Sequence, residues 1–370
     1  MNISIIVPSR NEGKNVELLT QRILEAVPPE YRYEIWFIDD SNDDTPKRLA
    51  QLAKRYSFVH YLHRVNGTGL STAILEGFQQ AAGDWFIVMD ADLQHPPQSL
   101  PGLMAALTAQ DADIVIPSRF IPGGHDGGLS LPRKLVSWTA RMMARLSLRR
   151  VRKISDPTSG YFAVRRKTAF SRPLDPIGWK ILLELLVRSD YTGVREIPYT
   201  FEARDLGSSK FNMKEQWNYI RHLGRLIASS EADYRFWKFC LVGASGVVVN
   251  SAVYVPMVKA GVDISLSFVT ATVVATVNNF AWNNRFTWNH LKQDRLWYRM
   301  FKFGLVSLSG LALSGLSVEA CHRFLGLHYL LSGFIGILVS TGWNFVFNSL
   351  WTFKKRSNEP GTNPVQGIEL

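Results

Sequence analysis

The sequence predicts an α/β domain with a mostly parallel sheet covered by helices on both faces, followed by an all-α domain of four transmembrane helices. Three observations predict it. Through the first 230 or so residues, β-branched and aromatic runs alternate with helix-period stretches, as strand–helix–strand units do. From Phe239 onward, four apolar windows approach the ~20 residues that cross a bilayer. The 370 residues carry a formal net charge of +11 with the acids gathered in the first part, so a mean hydropathy of −0.03 conceals two compositions.

The first strand is ISIIVP (3–8). Met1-Asn2 leads straight into it, so no secretory signal is expected and the first domain should stay on the cytosolic side. Helix patterns over Lys14–Ala26 and Thr45–Tyr56 separate the strands EIWFID (34–39) and FVHYL (58–62); WFIVMD (85–90) and DIVIPS (113–118) continue the series. Ligands on such sheets sit outside the carboxyl ends of the strands. Three of those ends are chemically loaded: PSRNE after the first, DDSNDD after the second and DADLQ after the fourth. No GxxxxGK[ST] loop occurs, and Gly67-Thr68-Gly69 lacks the third glycine of a dinucleotide fingerprint because position 72 is Thr. A metal ion is the substitute means of holding phosphates. The two cysteines, Cys240 and Cys321, lie in apolar stretches and offer no disulfide framework or CxxC site.

The stretch VMDADLQHPP sets Asp90, Asp92 and Gln94 at every second position off a strand end and stops at Pro96-Pro97. Acids that merely cap the helix starting near Pro97 are one reading. A calcium loop would need Gly at its sixth place and Glu at its twelfth, where the chain has His95 and Pro101. A DxD phosphatase would carry Thr or Val where Gln94 stands. The remaining reading is a divalent cation held by Asp92, with Asp90 and Gln94, bridging the diphosphate of a nucleotide sugar. Mg²⁺ or Mn²⁺ suits that all-oxygen set.

The apolar windows are Phe239–Val258, Ser265–Trp282, Phe303–Ala320 and Tyr329–Phe347; none holds Lys or Arg, and Glu319 is their one acid. Four buried helices of a large soluble domain are the alternative. Against it, Trp282, Phe286, Trp288, Trp297, Tyr298, Trp351 and Phe353 cluster at the window ends, as interfacial aromatics do. Arg285, Lys292, Arg295, Arg299 and Lys302 crowd the middle loop and Lys354-Lys355-Arg356 opens the tail, against Lys259 and Arg323 in the other loops. A multi-pass protein with both termini cytoplasmic is expected. The half also repeats: KFCLVGASG from Lys238 returns as KFGLVSLSG from Lys302, and NNFAWNNRFTW from Asn278 as WNFVFNSLWTF from Trp343. Two copies of a helix pair should be related by an axis along the membrane normal. The i, i+4 pairs Asn279/Asn283 and Asn344/Asn348 are expected to hydrogen-bond between helices.

Residues 1–230 resemble a family 2 glycosyltransferase of GT-A fold, a Rossmann-like architecture, in the dolichyl-phosphate mannose synthase branch. The match lies in IVPSRNE (6–12), FIDDSNDDT (37–45), GLSTAILEGF (69–78), VMDADLQHPP (88–97), PSRF (117–120), DPTSGYFAVRR (156–166), DPIGWKILLELL (175–186) and FEARDLGSSKF (201–211). The second half resembles a GtrA-like four-helix membrane domain. The resemblance implies a GT-A domain over 1–212, amphipathic juxtamembrane helices over 213–237, the membrane domain in two repeats over 238–353 and a flexible tail over 354–370. It implies that Pro8, Arg10, Glu12, Ile38, Asp39 and Asp40 bind the nucleotide. Asp90, Ala91, Asp92 and Gln94 would hold diphosphate and metal, the metal ligands being Asp90, Asp92 and Gln94. Arg119 would meet phosphates, Arg204 and Lys210 would close over the donor, and Arg133 and Ser137 would bind the acceptor phosphate. Asp92, Arg119 and Arg133 are the implied catalytic set. Arg10 replaces an aromatic common in the branch, and DDSNDDT is one residue shorter than DDxSxDxT. Both lie near the base, so UDP-glucose stands beside GDP-mannose as donor.

A lipid monophosphate, dolichyl or undecaprenyl, is already an oxyanion at neutral pH because its second pKa is about 6. No general base is then required, His95 and His125 are expected to be non-catalytic, and in-line attack would invert the anomeric centre. Between Arg133 and Lys153 lie eight basic residues and no acid, interleaved with Trp138, Met142, Met143, Leu146 and Leu148. Such a run beside a membrane domain suggests a surface-lying helix. A second candidate, Gln216–Phe239, spaces Trp217, Ile220, Leu223 and Ile227 along one face, with Arg221 and Arg225 off it. No nucleic-acid motif accompanies the charge. A processive synthase would add QxxRW, which the chain lacks, and a flippase would need a polar path through the spans. Homo-oligomerisation is left open.

Overall fold

The computed structural model describes residues 1–65, 67, 69–109, 111–127, 131–202, 213–289 and 294–353, apart from the side chain of Pro132. Two units emerge, Met1–Ser230 and Glu231–Leu370. The first runs β1 (Asn2–Ser9), α1 (Val16–Ala26), β2 (Arg32–Asp39), α2 (Thr45–Arg55), β3 (Val59–His63), α3 (Leu70–Gln80), β4 (Trp85–Val88), α4 (Leu100–Thr108), β5 (Ile114–Ser118), α5 (Leu131–Ser147), β6 (Phe162–Arg165), α6 (Arg166–Ala169), α7 (Ile181–Arg188), β7 (Val194–Pro198) and α8 (Met213–Ser229).

These strands form a seven-stranded sheet in the order β3-β2-β1-β4-β6-β5-β7. All neighbours are parallel except that β6 runs antiparallel to both β4 and β5. Side chains alternate across the sheet with period two. Ile3, Ile5 and Val7 of β1 therefore join one buried cluster with Leu19, Ile23 and Leu103, while Ile6 joins another with Ile38, Phe86, Phe78 and Leu182. Each such side chain contributes about 1.5–3 kcal/mol through burial.

The antiparallel strand positions the chemistry. Because Val88 pairs with Phe162, the loop entering β6 returns to the end of the sheet where β4 leaves it. Residues 156–160 thus lie beside Asp90, a juxtaposition no parallel strand would give.

Helix α8 belongs to the first unit. Tyr219, His222, Leu223 and Leu226 are buried, and the Tyr219 hydroxyl donates to the Ala140 carbonyl at 2.6 Å. The segment expected as juxtamembrane, 213–237, is divided: its last residues begin a helix of the second unit. Leu223, read from spacing as part of one outward face with Trp217 and Ile220, turns inward against α7, while those two remain exposed.

In the second unit, α9 (Glu231–Lys259) packs on α10 (Ile264–Trp282), and α11 (Leu296–Leu325) on α12 (Tyr329–Phe347). The second helix of each pair ends in a π-helical turn, Asn283–Thr287 and Asn348–Thr352. All four are long and apolar enough to cross a membrane. Large apolar side chains such as Leu241, Val248, Leu308 and Leu330 face outward, so the buried-soluble-core alternative fails. The internal repeat is visible in three dimensions. The aromatic core consists of matched positions, Phe239 with Phe303, Phe280 with Phe345 and Trp288 with Phe353. Phe239–Phe345 and Phe280–Phe303 centroids are both 5.6 Å apart, and Trp288 stacks on Phe353 at 4.6 Å. Cross-helix hydrogen bonds within the pairs come from Asn278 and Trp343, to Ser245 at 3.5 Å and Ser309 at 2.9 Å. The expected asparagines differ: Asn279 and Asn344 pack against Gly246 and Gly310, while Asn283 and Asn348 bond within their own helices.

Candidate active site

The strand order reverses between β1 and β4, so a crevice is expected outside the carboxyl ends of those strands. The chain leaves β4 there as Met89, Asp90, Ala91, Asp92. Met89 and Ala91 are buried, Asp92 is nearly so, and the Asp90 side chain is 36% exposed. Leu93 adopts φ 63°, a left-handed conformation that a branched side chain rarely takes, and the Gln94 N–H returns to Asp92 Oδ1 at 3.2 Å.

His95 fixes this loop. It is buried and stacks on Tyr161 with centroids 5.1 Å apart, and its Nδ1 accepts the Asp90 backbone N–H at 3.0 Å. Burial pushes the imidazole pKa down to about 4 against the opposing pull of Asp92, so the ring stays neutral and keeps its acceptor nitrogen. From the loop entering β6 comes Gly160, where a Cβ would stand 3.2 Å from Asp90 Oδ2 and push the carboxylate aside by a few tenths of an ångström.

Among the described residues, no three His, Cys, Asp or Glu side chains converge as a metal site. Asp90, Asp92 and the Gln94 amide oxygen make an all-oxygen set too small to complete an octahedron. They fit a Mg²⁺ or Mn²⁺ that draws its other ligands from a diphosphate and water, which is how Mg²⁺ is commonly bound. Gln94 Nε2 donates to the Glu202 carbonyl at 3.3 Å, which turns Oε1 into the atom it can give a cation.

Arg119 follows β5 directly. Its Nε and Nη2 donate to the two oxygens of the fully buried Asp156 at 2.9 and 3.2 Å, and its guanidinium lies 5.3 Å over Phe201. Burial pulls the Arg119 pKa down and Asp156 more than offsets it. Asp156 is itself fixed from β7: Glu196 Oε1 accepts the backbone N–H groups of Ser155 and Asp156 at 3.0 and 3.1 Å and the Ser155 hydroxyl at 2.6 Å.

At the ends of β1 and β2, Asp39 is fully buried and accepts from the Ser9 and Ser41 hydroxyls at 2.9 and 2.5 Å, with His63 Nδ1 at 2.8 Å. Asp40 is held bidentately by Arg64, Nε at 2.7 Å and Nη2 at 2.6 Å. Pro8 and Ile38 are buried, Ile38 wholly inside the core, so what Ile38 can offer a nucleotide is backbone. Arg10 is exposed, and Glu12 Oε2 accepts from Asn15 at 2.6 Å. On α5, Arg133 is exposed and Ser137 partly so. Arg204 and Lys210 lie outside the described residues. The structure thus brings Asp90, Ala91, Asp92 and Gln94 together with Arg119 nearby, and adds His95, Asp156 and Glu196, to which sequence reasoning gave no site role. The DPTSGYF string pointed at Asp156 without saying what it grips.

Residues 4–171 match Glycosyl transferase family 2, and residues 238–353 match the GtrA/DPMS transmembrane domain. The chain is 38% identical over 349 residues to the dolichol-phosphate mannosyltransferase of Pyrococcus furiosus, across 94% of this chain and 98% of that protein. It is 37% identical to the dolichol-phosphate mannosyltransferase of Saccharomyces cerevisiae, over 60% of this chain and 86% of that one. With the undecaprenyl-phosphate mannosyltransferase of Micrococcus luteus it shares 34% identity, over 57% and 88% respectively.

Proposed function

This chain belongs to the polyprenyl-phosphate mannosyltransferases of glycosyltransferase family 2, and on that premise we propose that it transfers a single mannose from GDP-mannose, with inversion, to a polyprenyl phosphate at the cytosolic membrane face. The observation that carries the reading is the strand-end site in which Asp90, Asp92 and Gln94 lie near the Arg119–Asp156 clamp, with His95 spent on the Asp90 N–H. Such a site handles anions, and its imidazole is already engaged as an acceptor. A phosphomonoester needs no base, being an oxyanion at pH 7 because its second pKa is about 6.

Asp90, Asp92 and Gln94 would hold Mg²⁺ or Mn²⁺, which when bound supplies the charge that neutralises the departing diphosphate. The protein's own groups do the rest. Arg119, kept in one orientation by Asp156, presents its guanidinium to phosphate oxygens, which is electrostatic stabilisation by a preorganised donor. His95 keeps the Asp90 backbone in place, and Leu93 turns Gln94 back toward Asp92.

The acceptor side is α5. Leu131, Leu135, Trp138, Met142 and Leu146 recur at helical spacing; all but Met142 are well exposed, and the helix carries Arg133, Lys134, Arg141 and Arg145 without an acid. A stripe of this kind lies in a bilayer interface, where each Lys or Arg contributes about 1 kcal/mol on an anionic leaflet.

UDP-glucose remains the second reading because of Asp40. A carboxylate that reads guanine must first release Arg64, which occupies both of its oxygens. The test offers purified full-length protein labelled GDP-mannose or UDP-glucose with polyprenyl phosphate and follows label into the organic phase. Label from GDP-mannose is expected; label from UDP-glucose alone overturns the mannose assignment, and label from neither overturns transfer.

A further inference from the structure

Past Pro198 the chain leaves the sheet and is passed from one backbone partner to the next. The Tyr199 N–H still donates to the Ser118 carbonyl at the end of β5, 3.3 Å away. His125 then takes over. Its N–H donates to the Tyr199 carbonyl at 3.0 Å and its carbonyl accepts the Phe201 N–H at 2.9 Å, a short parallel bridge centred on Thr200. Glu202 goes to the cation loop instead: its N–H donates to the Gln94 carbonyl at 3.0 Å, and its own carbonyl accepts Gln94 Nε2 at 3.3 Å. Residues 199–202 are thus a strap between the loop that follows Arg119 and Gln94.

One position decides whether the strap can lie there. Gly127 has φ 62°, a conformation that favours glycine. A Cβ on it would overlap the Phe201 carbonyl oxygen and stand 2.7 Å from the carbonyl carbon. Both are backbone atoms, so no change of rotamer relieves the clash and the peptide itself must move. That peptide, Phe201–Glu202, is the one whose N–H reaches Gln94. It is sandwiched between Gly127 and Gln94.

A carboxamide has a donor end and an acceptor end, and only the oxygen serves a cation. Partners beyond the ligands commonly decide how a ligand is turned toward its metal. We propose that Gly127 is a positioning residue for the cation: by admitting the Phe201–Glu202 peptide against Gln94, it fixes which end of the Gln94 amide faces the metal. The inference rests on the reading that Gln94 ligates Mg²⁺ or Mn²⁺, and it gives the loop His125–Gly127 a part in the site. A displaced strap would also carry the Phe201 ring away from Arg119 and His95, 5.3 and 5.8 Å off, a route the test must separate from the one through Gln94.

The test is Mn²⁺ binding to full-length protein in detergent, with saturating GDP and again with UDP, read from the electron paramagnetic resonance of free Mn²⁺ without turnover. Gly127→Ala should weaken Mn²⁺ about tenfold or more, as removal of a ligand's outer partner does. Glu202→Pro removes the N–H that reaches Gln94 and leaves Gly127 alone; it should act in the same direction, and it carries the test if Gly127→Ala folds poorly. In a Gln94→Ala background neither substitution should cost further affinity, because changes acting through one contact do not add. Unchanged Mn²⁺ affinity in folded Gly127→Ala or in Glu202→Pro, or a tenfold loss that persists with Gln94→Ala, would overturn the assignment. A wild type that binds no Mn²⁺, or a Gln94→Ala variant that binds it fully, defeats the cation reading and this inference together. Loss with Gln94→Ala but not with the strap variants defeats this inference alone.

Discussion

Arg119 and Asp156 form a bidentate pair across the end of the sheet, 2.9 and 3.2 Å long, with Asp156 fully buried and Arg119 partly open to the crevice. Fork-to-carboxylate geometry fixes direction as well as charge. Asp156→Asn should leave the fold intact but release the guanidinium. A guanidinium no longer held in one orientation ceases to be a preorganised donor, so kcat/KM should drop by about 100-fold. Activity within a few-fold of wild type would remove the pair from the mechanism.

His95 and Asp90 give a second prediction. His95→Phe keeps the stack on Tyr161 but leaves the Asp90 N–H without its acceptor, a penalty of about 1–3 kcal/mol. The variant should fold, bind donor more weakly and transfer slowly. Full activity would show that the loop holds its shape without the imidazole.

Glu184 and His222 give the third. Both are fully buried, with Glu184 Oε2 2.6 Å from His222 Nε2, Asp175 N–H donating to Oε1 at 3.0 Å and Arg188 at 3.2 Å. Burial alone would raise the Glu184 pKa; the bonds from His222 and Asp175 outweigh it, so the carboxyl titrates below its ordinary range. A carboxyl lowered on folding adds stability above its unfolded pKa, about 4.3, and loses it as pH falls through the folded value. His222→Leu leaves Glu184 Oε2 without its partner while Arg188 and the Asp175 N–H stay on Oε1, and should lower stability by about 1–3 kcal/mol at neutral pH. That gap should narrow on acidification as the carboxyl protonates. Thermal unfolding of wild type and variant at pH 7.5 and 4.5 reads it, and a gap independent of pH contradicts the account.

The same pair predicts where the chain can be cut. Because α8 is part of the first unit, truncation after Ser230 should keep transfer to detergent-dispersed acceptor, whereas truncation at 212 removes His222 and should give unstable protein. Loss of transfer in a well-folded 1–230 fragment would give the membrane helices a role beyond anchoring.

Gly246 and Gly310 are repeat mates. A Cβ would stand 2.3 Å from Asn279 Oδ1 at the first and 2.5 Å from Asn344 Oδ1 at the second. Gly246→Leu and Gly310→Leu should each lower the melting temperature in detergent, overpacking costing about 1–3 kcal/mol. The two shifts should match within error. A shift at one position alone would show that the two helix pairs are not packed alike.

Much of this was legible in the sequence because period-two runs and chemically loaded strand ends are local signals. The five strands from ISIIVP to DIVIPS stand where they were read, and the apolar windows fall within four helices. What stayed hidden depends on pairing between distant segments. Nothing in FAVR says that it enters antiparallel between β4 and β5, yet that insertion delivers Asp156 and Gly160 to Asp90. Leu223 fits an outward face by spacing and turns inward only because α7 is there to receive it. Arg141 looked like one more charge in a basic run; its neighbours Phe120 and Ser155 make it distinct.

The most direct measurement is mannosyl transfer by full-length protein across a titration of free Mg²⁺ and Mn²⁺, with wild type and Asp92→Asn run in parallel and their unfolding temperatures checked. Label should enter the lipid phase only with metal present, and Asp92→Asn should abolish it without loss of fold. Undiminished turnover in excess EDTA, or a fully active Asp92→Asn, would contradict the claim that those carboxylates gather a cation for the diphosphate.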